Sequence, residues 1–434
     1  MSPGAEQAAG FVRQADIVVG IPSFNNARTI GHVVRAVHAG LAKFFPQWTA
    51  VIVNSDGGST DGTRQEVLSA HMDEQHLLLL STPVSAAHRL SVPYHGIPGQ
   101  GRAFRLIFEI AERLGAKVCV VVDADLRSIA PEWIDHLARP VLQAHYDLVT
   151  PYYHRHKYDG TITNNIVYPL TRSLYGAIVR QPIGGEFGIS RKLFHRYLER
   201  TDWETDVARY GIDIWMTTIA LAENFRVCQS FLGAKLHDAK DPGADLSDML
   251  KQVMGSVFLL MLEYEPVWRV RSGSRPTELF GFRFDVGVEP VAVRVDRMID
   301  AFRAGFRDLH EIWQRVLAPK TYEGVRSVAL HGGRTADPFH FSDALWTDVV
   351  IDFACAFRRR PMDRGYMMSS FTPLYLGRVA STVLAFEPLT APEVENEIEQ
   401  LCLQFERAKP GLLARWDGNG AIVNTKEEAK ENTP

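Results

Sequence analysis

Apolar and polar positions follow a repeated order along the first 150 residues or so. The run DIVVGIP from Asp16 is short, continuous and β-branched, and Gly and Pro stop it, which predicts a buried strand. In the next stretch, SFNNARTIGHVVRAVHAGLAKFF, the residues Ile30, Val33, Val34, Val37 and Leu41 recur at helical spacing and make one helix face apolar. TAVIVNSDGGSTDGT repeats the order: a strand over Ala50 to Val53, a Gly/Ser/Asp loop, and a helix from about Thr63. KVCVVVDADL is then a continuous apolar strand that ends on two carboxylates. Strands alternating with helices predict an α/β fold on a mostly parallel, Rossmann-like sheet. In such sheets ligands bind beyond the carboxyl ends of the strands, where these polar loops lie.

The order loosens after Asp147. PYYHRHKYDGTITNN is aromatic and polar, and QPIGGEFGISRKLFHRYL reads as a turn and short strand entering a helix. Gly211 to Ala222 reads as an amphipathic helix, and VCQSFLGAKLHDAKDP as a strand leading into a His/Asp/Lys loop. From Leu246 long helical patterns dominate, as over Val293 to Val316 and Asp343 to Phe357, with a break at Arg271 to Gly281. The expected division is a flexible start over 1–15, an α/β unit over 16–245, a mainly helical unit over 246–424 and a flexible tail over 425–434.

Composition narrows the classes. The 434 residues carry 47 Lys+Arg against 51 Asp+Glu, a net charge of -4, which excludes a strongly basic nucleic-acid binder and a disordered acidic chain. With 46% hydrophobic and 23% charged residues the chain can bury a large core. Cys119, Cys228, Cys355 and Cys402 form no CxxC, so neither a disulfide framework nor a zinc ribbon is expected, and a reducing cytoplasm is the expected location. The N-terminus lacks the basic start and apolar run of a signal peptide. The apolar stretch from Val253 to Leu262 stops at Glu263, far short of the roughly 20 residues of a membrane span. No membrane partner is expected.

The sharpest chemistry lies at Asp123-Ala124-Asp125. A strand end fixes both carboxylates at the rim of the sheet, and hard divalent cations take oxygen ligands and bring diphosphate oxygens to the same place. A strand-end turn whose aspartates cap the next helix reads equally well from the triplet alone. Around it, the loop from Asn54 to Thr63 has glycines that let backbone approach a ligand, Asp56 can accept from a base or ribose, and Asp61 or Thr60 can cap the following helix. Pro22, Ser23, Phe24, Asn25 and Asn26 supply the corresponding loop after the first strand, where a plain turn with Asn side-chain hydrogen bonds is the other reading.

A strand ending in IPSFNN, followed by NSDGGSTDGT, GIPGQGRA and VVVDADL, resembles the nucleotide-sugar half of a GT-A glycosyltransferase. PIGGEFGISR, YGIDIW and AKLHDAKDP resemble a narrower set of retaining enzymes, the glucosylglycerate, mannosylglycerate and glucosyl-3-phosphoglycerate synthases. The likeness covers about Asp16 to Gly255. It implies a metal-dependent transfer of glucose or mannose from a UDP- or GDP-linked donor to a small hydroxy acid, with Mg²⁺ or Mn²⁺ as cofactor and, by analogy with the helical C-terminal regions of such enzymes, a homodimer.

Carried over position by position, the resemblance makes Asp125 the principal metal ligand and His237 the second. Asp123 would contact the ribose or organise the site, with Ala124 between the two acids. Asp56 and the loop Pro22, Ser23, Phe24 and Asn25 would hold the nucleotide. Glu186 would accept hydrogen bonds from sugar hydroxyls, a buried salt bridge being its other reading, and Asp213 would be the second sugar- or acceptor-facing acid. On the turn facing the diphosphate stand Gln100, Gly101 and Arg102. Relatives carry Lys where this chain has Gln100, so Arg102 or Arg105 would supply the charge. Phosphoglycerate-using relatives carry Arg where this chain has Thr161, which points to D-glycerate, with Thr163, Tyr152 and Arg155 holding its carboxylate. Transfer to 3-phosphoglycerate is the alternative within the class. A nucleotidyltransferase would need a Gly-rich segment with Lys or Arg near the first strand, which IPSFNNART does not supply, and a non-catalytic nucleotide-sugar binder would leave the acids without a task.

Overall fold

The computed structural model describes residues 12–70, 88–93, 100–204, 211–236, 246–283, 286–333 and 339–418. Most of the flexible start expected over 1–15 and all of the tail over 425–434 lie outside them. The chain divides into two compact units, residues 1–241 with 248–292, and residues 242–247 with 293–434.

The first unit carries an eight-stranded sheet. Strand β1 (Ile17–Ser23) has β2 (Ala50–Asp56) and then β3 (His88–Pro93) on one side. On its other side follow β4 (Val118–Val121), β7 (Phe187–Ser190), β5 (Leu148–His154), β8 (Val227–Ala234) and β10 (Leu279–Phe280). Two further short strands, β6 (Ala177–Ile178) and β9 (Arg275–Pro276), pair with each other. In the main sheet every pairing is parallel except those of β7, which runs antiparallel to both β4 and β5. The order reverses between β1 and β4, and that crevice is where open α/β sheets bind ligands.

The continuous apolar runs of β1, β2 and β4 are buried because helices cover both sheet faces. Helix α1 (Ala27–Phe44) buries Ile30, Val33, Val34, Val37 and Leu41, the face its spacing predicts. After α2 (Thr63–Ser69), α3 (Gln100–Arg113) presses Ile107 so closely onto Gly20 that a Cβ there would collide with the side chain. Helix α4 (Glu132–Ala144) buries Trp133, Ile134 and Leu137, and the Leu137 carbonyl leaves no room for a Cβ at Gly188 of β7. Each fully buried aliphatic side chain here contributes about 1.5–3 kcal/mol.

Past β5 the chain makes one π-helical turn (Thr163–Val167), α5 (Tyr168–Tyr175), α6 (Arg191–Leu198) and α7 (Ile212–Ala222). The last of these corrects an expectation: residues 212–220 and Ala222 are all buried, so α7 is enclosed on every side rather than amphipathic. Thr217 donates to the Pro182 carbonyl at 2.8 Å, which satisfies one of its few polar groups. Helices α8 (Ser247–Glu263) and α9 (Glu265–Val270) complete the main elements.

The second unit is helical, with α10 (Val295–Val316), α11 (Pro319–His331), α12 (Asp343–Arg359), α13 (Arg364–Phe386) and α14 (Ala391–Trp416). Helices α10 and α13 cross where Gly377 meets the Phe302 ring and Gly305 meets Pro373, positions with no space for a Cβ. In the Arg358-Arg359-Arg360 run, Arg358 donates to the Trp416 carbonyl at 2.9 Å and lies over its ring, so that residue closes the end of α14. Among the described residues no helix is long and apolar enough to cross a membrane.

Candidate active site

Parallel pairing brings the ends of β1 and β2 level, with Ser23 opposite Asp56, and the loops after them lace together. Asp56 is almost fully buried; its Oδ1 accepts from Ser59 Oγ at 2.6 Å and Ser23 Oγ at 3.3 Å, its Oδ2 from the N–H groups of Gly58 and Ser59 at 3.1 and 3.0 Å. Asn25 sits in the left-handed region (φ 54°), its N–H donating to Ser59 Oγ at 2.8 Å and its Oδ1 accepting from Thr60 N–H at 3.0 Å. Asp61 joins the same lattice through the N–H groups of Ala27 and Thr63, each at 3.0 Å. A carboxylate offers about four acceptor positions, and the loops themselves fill those of Asp56. What the loops leave open is the Phe24 ring, 56% exposed on the rim, with Pro22 half-buried beside it.

A denser group forms where β4 ends. Because β7 runs antiparallel, its first residue, Phe187, lies opposite Val121, the last of β4, and Glu186 therefore starts beside the strand-end acids. The end of β8 delivers Lys235 to the same edge, and β5, in parallel register with β8, delivers Tyr153. Lys235 Nζ donates to Asp123 Oδ2 at 2.7 Å, to the Gly184 carbonyl at 2.8 Å and to Glu186 Oε1 and Oε2 at 2.8 and 3.0 Å. Tyr153 donates its hydroxyl proton to Glu186 Oε2. Of the two readings of Glu186, the structure shows the buried salt bridge: its side chain is fully buried, and Lys235 and Tyr153 occupy its oxygens.

Asp213, in the first turn of α7, is 9% exposed. The Gly185 N–H lies near its carboxylate and favours the charged form, and its Oδ1 has no hydrogen-bond partner. Burial, reinforced by the charge of Asp123, pushes the Asp213 carboxyl up to about 7. Burial likewise raises Glu186 to about 8 despite the opposing pull of Lys235. For Lys235 burial works against the charge, but the attraction of Asp123 and Glu186 outweighs it and raises its pKa. The sequence reading named Asp123, Glu186 and Asp213, and the structure brings them together; it did not name Lys235 or Tyr153. Lys235 lies within AKLHD, and Tyr153 within the aromatic and polar stretch that opens on Pro151, whose first residues belong to strand β5.

Asp125, two residues on, is half-buried. Ala124 is buried and its carbonyl accepts from Thr29 Oγ1 at 2.8 Å. His237 lies outside the described residues, as does the side chain of Gln100, the first residue of α3. Gly101 is buried and Arg102 half-buried in the same turn of α3. Arg105 is turned elsewhere, bonded to Glu109 at 3.2 Å with its guanidinium over the Trp203 ring. A cleft of about 260 Å³ next to the Asp123-to-Asp125 turn is lined by Arg28, Thr29, His32, Leu126 and Arg127, the last paired with Glu289 at 2.7 Å. Among the described residues no three His, Cys, Asp or Glu side chains gather as a metal shell.

The acceptor candidates spread along the end of β5. The Arg155 guanidinium lies over the Tyr153 ring, 5.6 Å from its centroid, and pairs with Asp159 at 3.3 Å. Tyr152 packs on Phe231, with Arg283 over its ring. Thr161 and Thr163 are buried at the start of the π-helical turn, the Thr161 carbonyl accepting from Asn165 Nδ2 at 3.1 Å. Arg155 is tied to the acids through Tyr153.

No family model and no curated protein matches the chain. Solved structures similar to it include glucosyl-3-phosphoglycerate synthase from Mycobacterium tuberculosis in complex with phosphoglyceric acid, at 19% identity and TM-score 0.42, covering 60% of this chain and 83% of that one. The same enzyme with Mn²⁺, uridine diphosphate and phosphoglyceric acid is 22% identical over 60% of this chain and 84% of that one, TM-score 0.43. With Mn²⁺, UDP-glucose and glycerol 3-phosphate it is 20% identical over 61% and 86%, TM-score 0.41.

Proposed function

We propose that this protein is a metal-dependent retaining glycosyltransferase that moves glucose or mannose from a nucleotide sugar to D-glycerate or a close analogue. The observation that carries this reading is the group of Asp123, Glu186 and Asp213 at the sheet's switch point, with the buried Asp213 Oδ1 lacking a hydrogen bond. A buried acceptor left without a partner costs about 1–3 kcal/mol, and a sugar hydroxyl is a donor that would relieve it.

In this reading the base lies against the exposed Phe24 ring and the loop from Pro22 to Asn25, which the Asp56 lattice holds rigid. Asp123, with one oxygen fixed by Lys235, faces the ribose. Arg102 and Arg28 face the diphosphate. The donor chemistry fits a hard divalent cation, which binds through one or two carboxylates together with substrate phosphates and water; Asp125 and His237 would hold Mg²⁺ or Mn²⁺, which when bound stabilises the charge of the departing diphosphate. The acceptor, its carboxylate held by Arg155, Tyr152 and Thr163, presents its hydroxyl on the face from which the diphosphate leaves. The hydroxyl oxygen bonds to the anomeric carbon as that carbon's bond to the phosphate oxygen breaks, the electron pair stays with the diphosphate, and the hydroxyl proton passes to it. Asp213 orients the sugar hydroxyls and stabilises the positive charge that develops on the ring, and Glu186, its oxygens held by Lys235 and Tyr153, fixes the turn that faces the sugar, without a covalent intermediate.

A donor and acceptor matrix tests this: UDP-glucose, GDP-glucose and GDP-mannose, each with D-glycerate and 3-phosphoglycerate, in Mg²⁺ or Mn²⁺. Product with D-glycerate is expected. Preference for 3-phosphoglycerate would overturn the reading of Thr161, and donor binding without any transfer would replace the enzyme by a nucleotide-sugar binder.

A further inference from the structure

Lys235 has a task that neither the nucleotide loops nor the acids account for. Its side chain is 5% exposed, and its ammonium, with three N–H groups, faces four oxygens from three residues at 2.7–3.0 Å. Two of those residues flank Gly185, which adopts φ +90°; a Cβ there would collide with Asp123 Oδ2 and lie 3.0 Å from Lys235 Nζ. The close approach of the 184–186 turn to Asp123 therefore needs a glycine at that position. The Gly184 carbonyl that accepts from Lys235 and the Gly185 N–H that faces the Asp213 carboxylate belong to one peptide group. Being planar, that group cannot turn one end without the other.

From this geometry we infer that Lys235 is a positioning residue for the transfer, an internal counter-ion that draws the 184–186 turn onto Asp123 and, through the Gly184–Gly185 peptide, aims the Asp213 carboxylate. The inference rests on the glycosyltransferase reading for its catalytic consequence, but not for its structural one. An ammonium suits the cage and a planar guanidinium does not, because the oxygens surround a point rather than a fork.

The test is Lys235→Ala, studied in the full-length protein with ethylammonium as the missing head group. Turnover should fall about 100-fold, the scale of a misplaced reacting group, with donor KM nearly unchanged, and ethylammonium should restore part of the loss while guanidinium and potassium at equal concentration do not. Independently of any activity, amide hydrogen exchange over 182–187 should be faster in the variant than in the wild type, with and without divalent cation. If Lys235→Ala does not fold, Lys235→Met with Glu186→Gln removes both members of the buried pair and reads the same exchange. Unchanged exchange over 182–187, turnover close to wild type, or rescue by potassium as good as by ethylammonium would overturn the inference. A wild-type protein that transfers no sugar to any acceptor would overturn the function instead, and the exchange result would still decide the role of Lys235.

Discussion

Asp56 and Asp213 are both buried carboxylates of the first unit, and they are used in opposite ways. Around Asp56 two backbone N–H groups and two serine hydroxyls fill both oxygens, and all of them come from the loops that the residue joins. Around Asp213 the Gly185 N–H lies near the carboxylate without filling it, and Oδ1 is left bare. The first pattern makes a rigid platform; the second leaves an unmet demand that a ligand can answer. Saturation, rather than burial or residue type, separates the acid that builds the site from the acid that serves it.

The comparison breaks most visibly under substitution. Asp213→Asn should lower turnover by about 10²–10³-fold, the range for losing one group that stabilises developing charge, while urea unfolding shows stability unchanged or raised. Asp56→Ala should do the reverse in kind: four hydrogen bonds of about 0.5–1.5 kcal/mol each are lost, so urea unfolding should show a loss of about 2–6 kcal/mol, and donor KM should rise because the loops come apart. Equal loss of stability in both variants would remove the distinction.

Acidity sharpens the same contrast. Burial pushes the Asp213 carboxyl up to about 7 in the folded chain from its ordinary value of 3.8, so between these values the folded state holds the extra proton. Its stabilising effect is complete below the lower value and is lost as pH rises through the upper one. Urea midpoints should therefore fall between about pH 5 and about pH 8 in the wild type, and fall less in Asp213→Asn. Phe24→Ala gives the smallest effect: an exposed ring contributes nothing to the core, so stability holds while donor KM rises roughly fivefold, the low end of base stacking on an aromatic ring.

Much of this architecture was legible in the residue pattern. The apolar run before Asp123 had to be a buried strand, and a strand that ends on acids places them at the rim, so the first half of the sheet followed from local order. Glu186 and Asp213 were found by their resemblance to a motif, because nothing in GGE or GID says by itself that β7 turns antiparallel and meets the end of β4. Lys235 was not legible: its partners Asp123 and Glu186 are 112 and 49 positions away, and only the sheet order brings them together. Tyr153 was not legible because it stands in an aromatic and polar stretch with no apolar run or motif to mark it, although β5 runs through it to His154. For α7 the Thr and Asp residues suggested a polar face that the surrounding elements in fact enclose.

The most direct test follows the anomeric proton by NMR while the wild-type protein, with Mg²⁺ or Mn²⁺, converts UDP-glucose or GDP-mannose in the presence of D-glycerate. Transfer at these acids predicts a glycoside of D-glycerate with the α configuration of the donor kept, formed in step with nucleoside diphosphate and about 10²–10³-fold more slowly with Asp213→Asn. A product of inverted configuration would contradict the account of the transfer, and no glycoside with either donor would contradict the site itself.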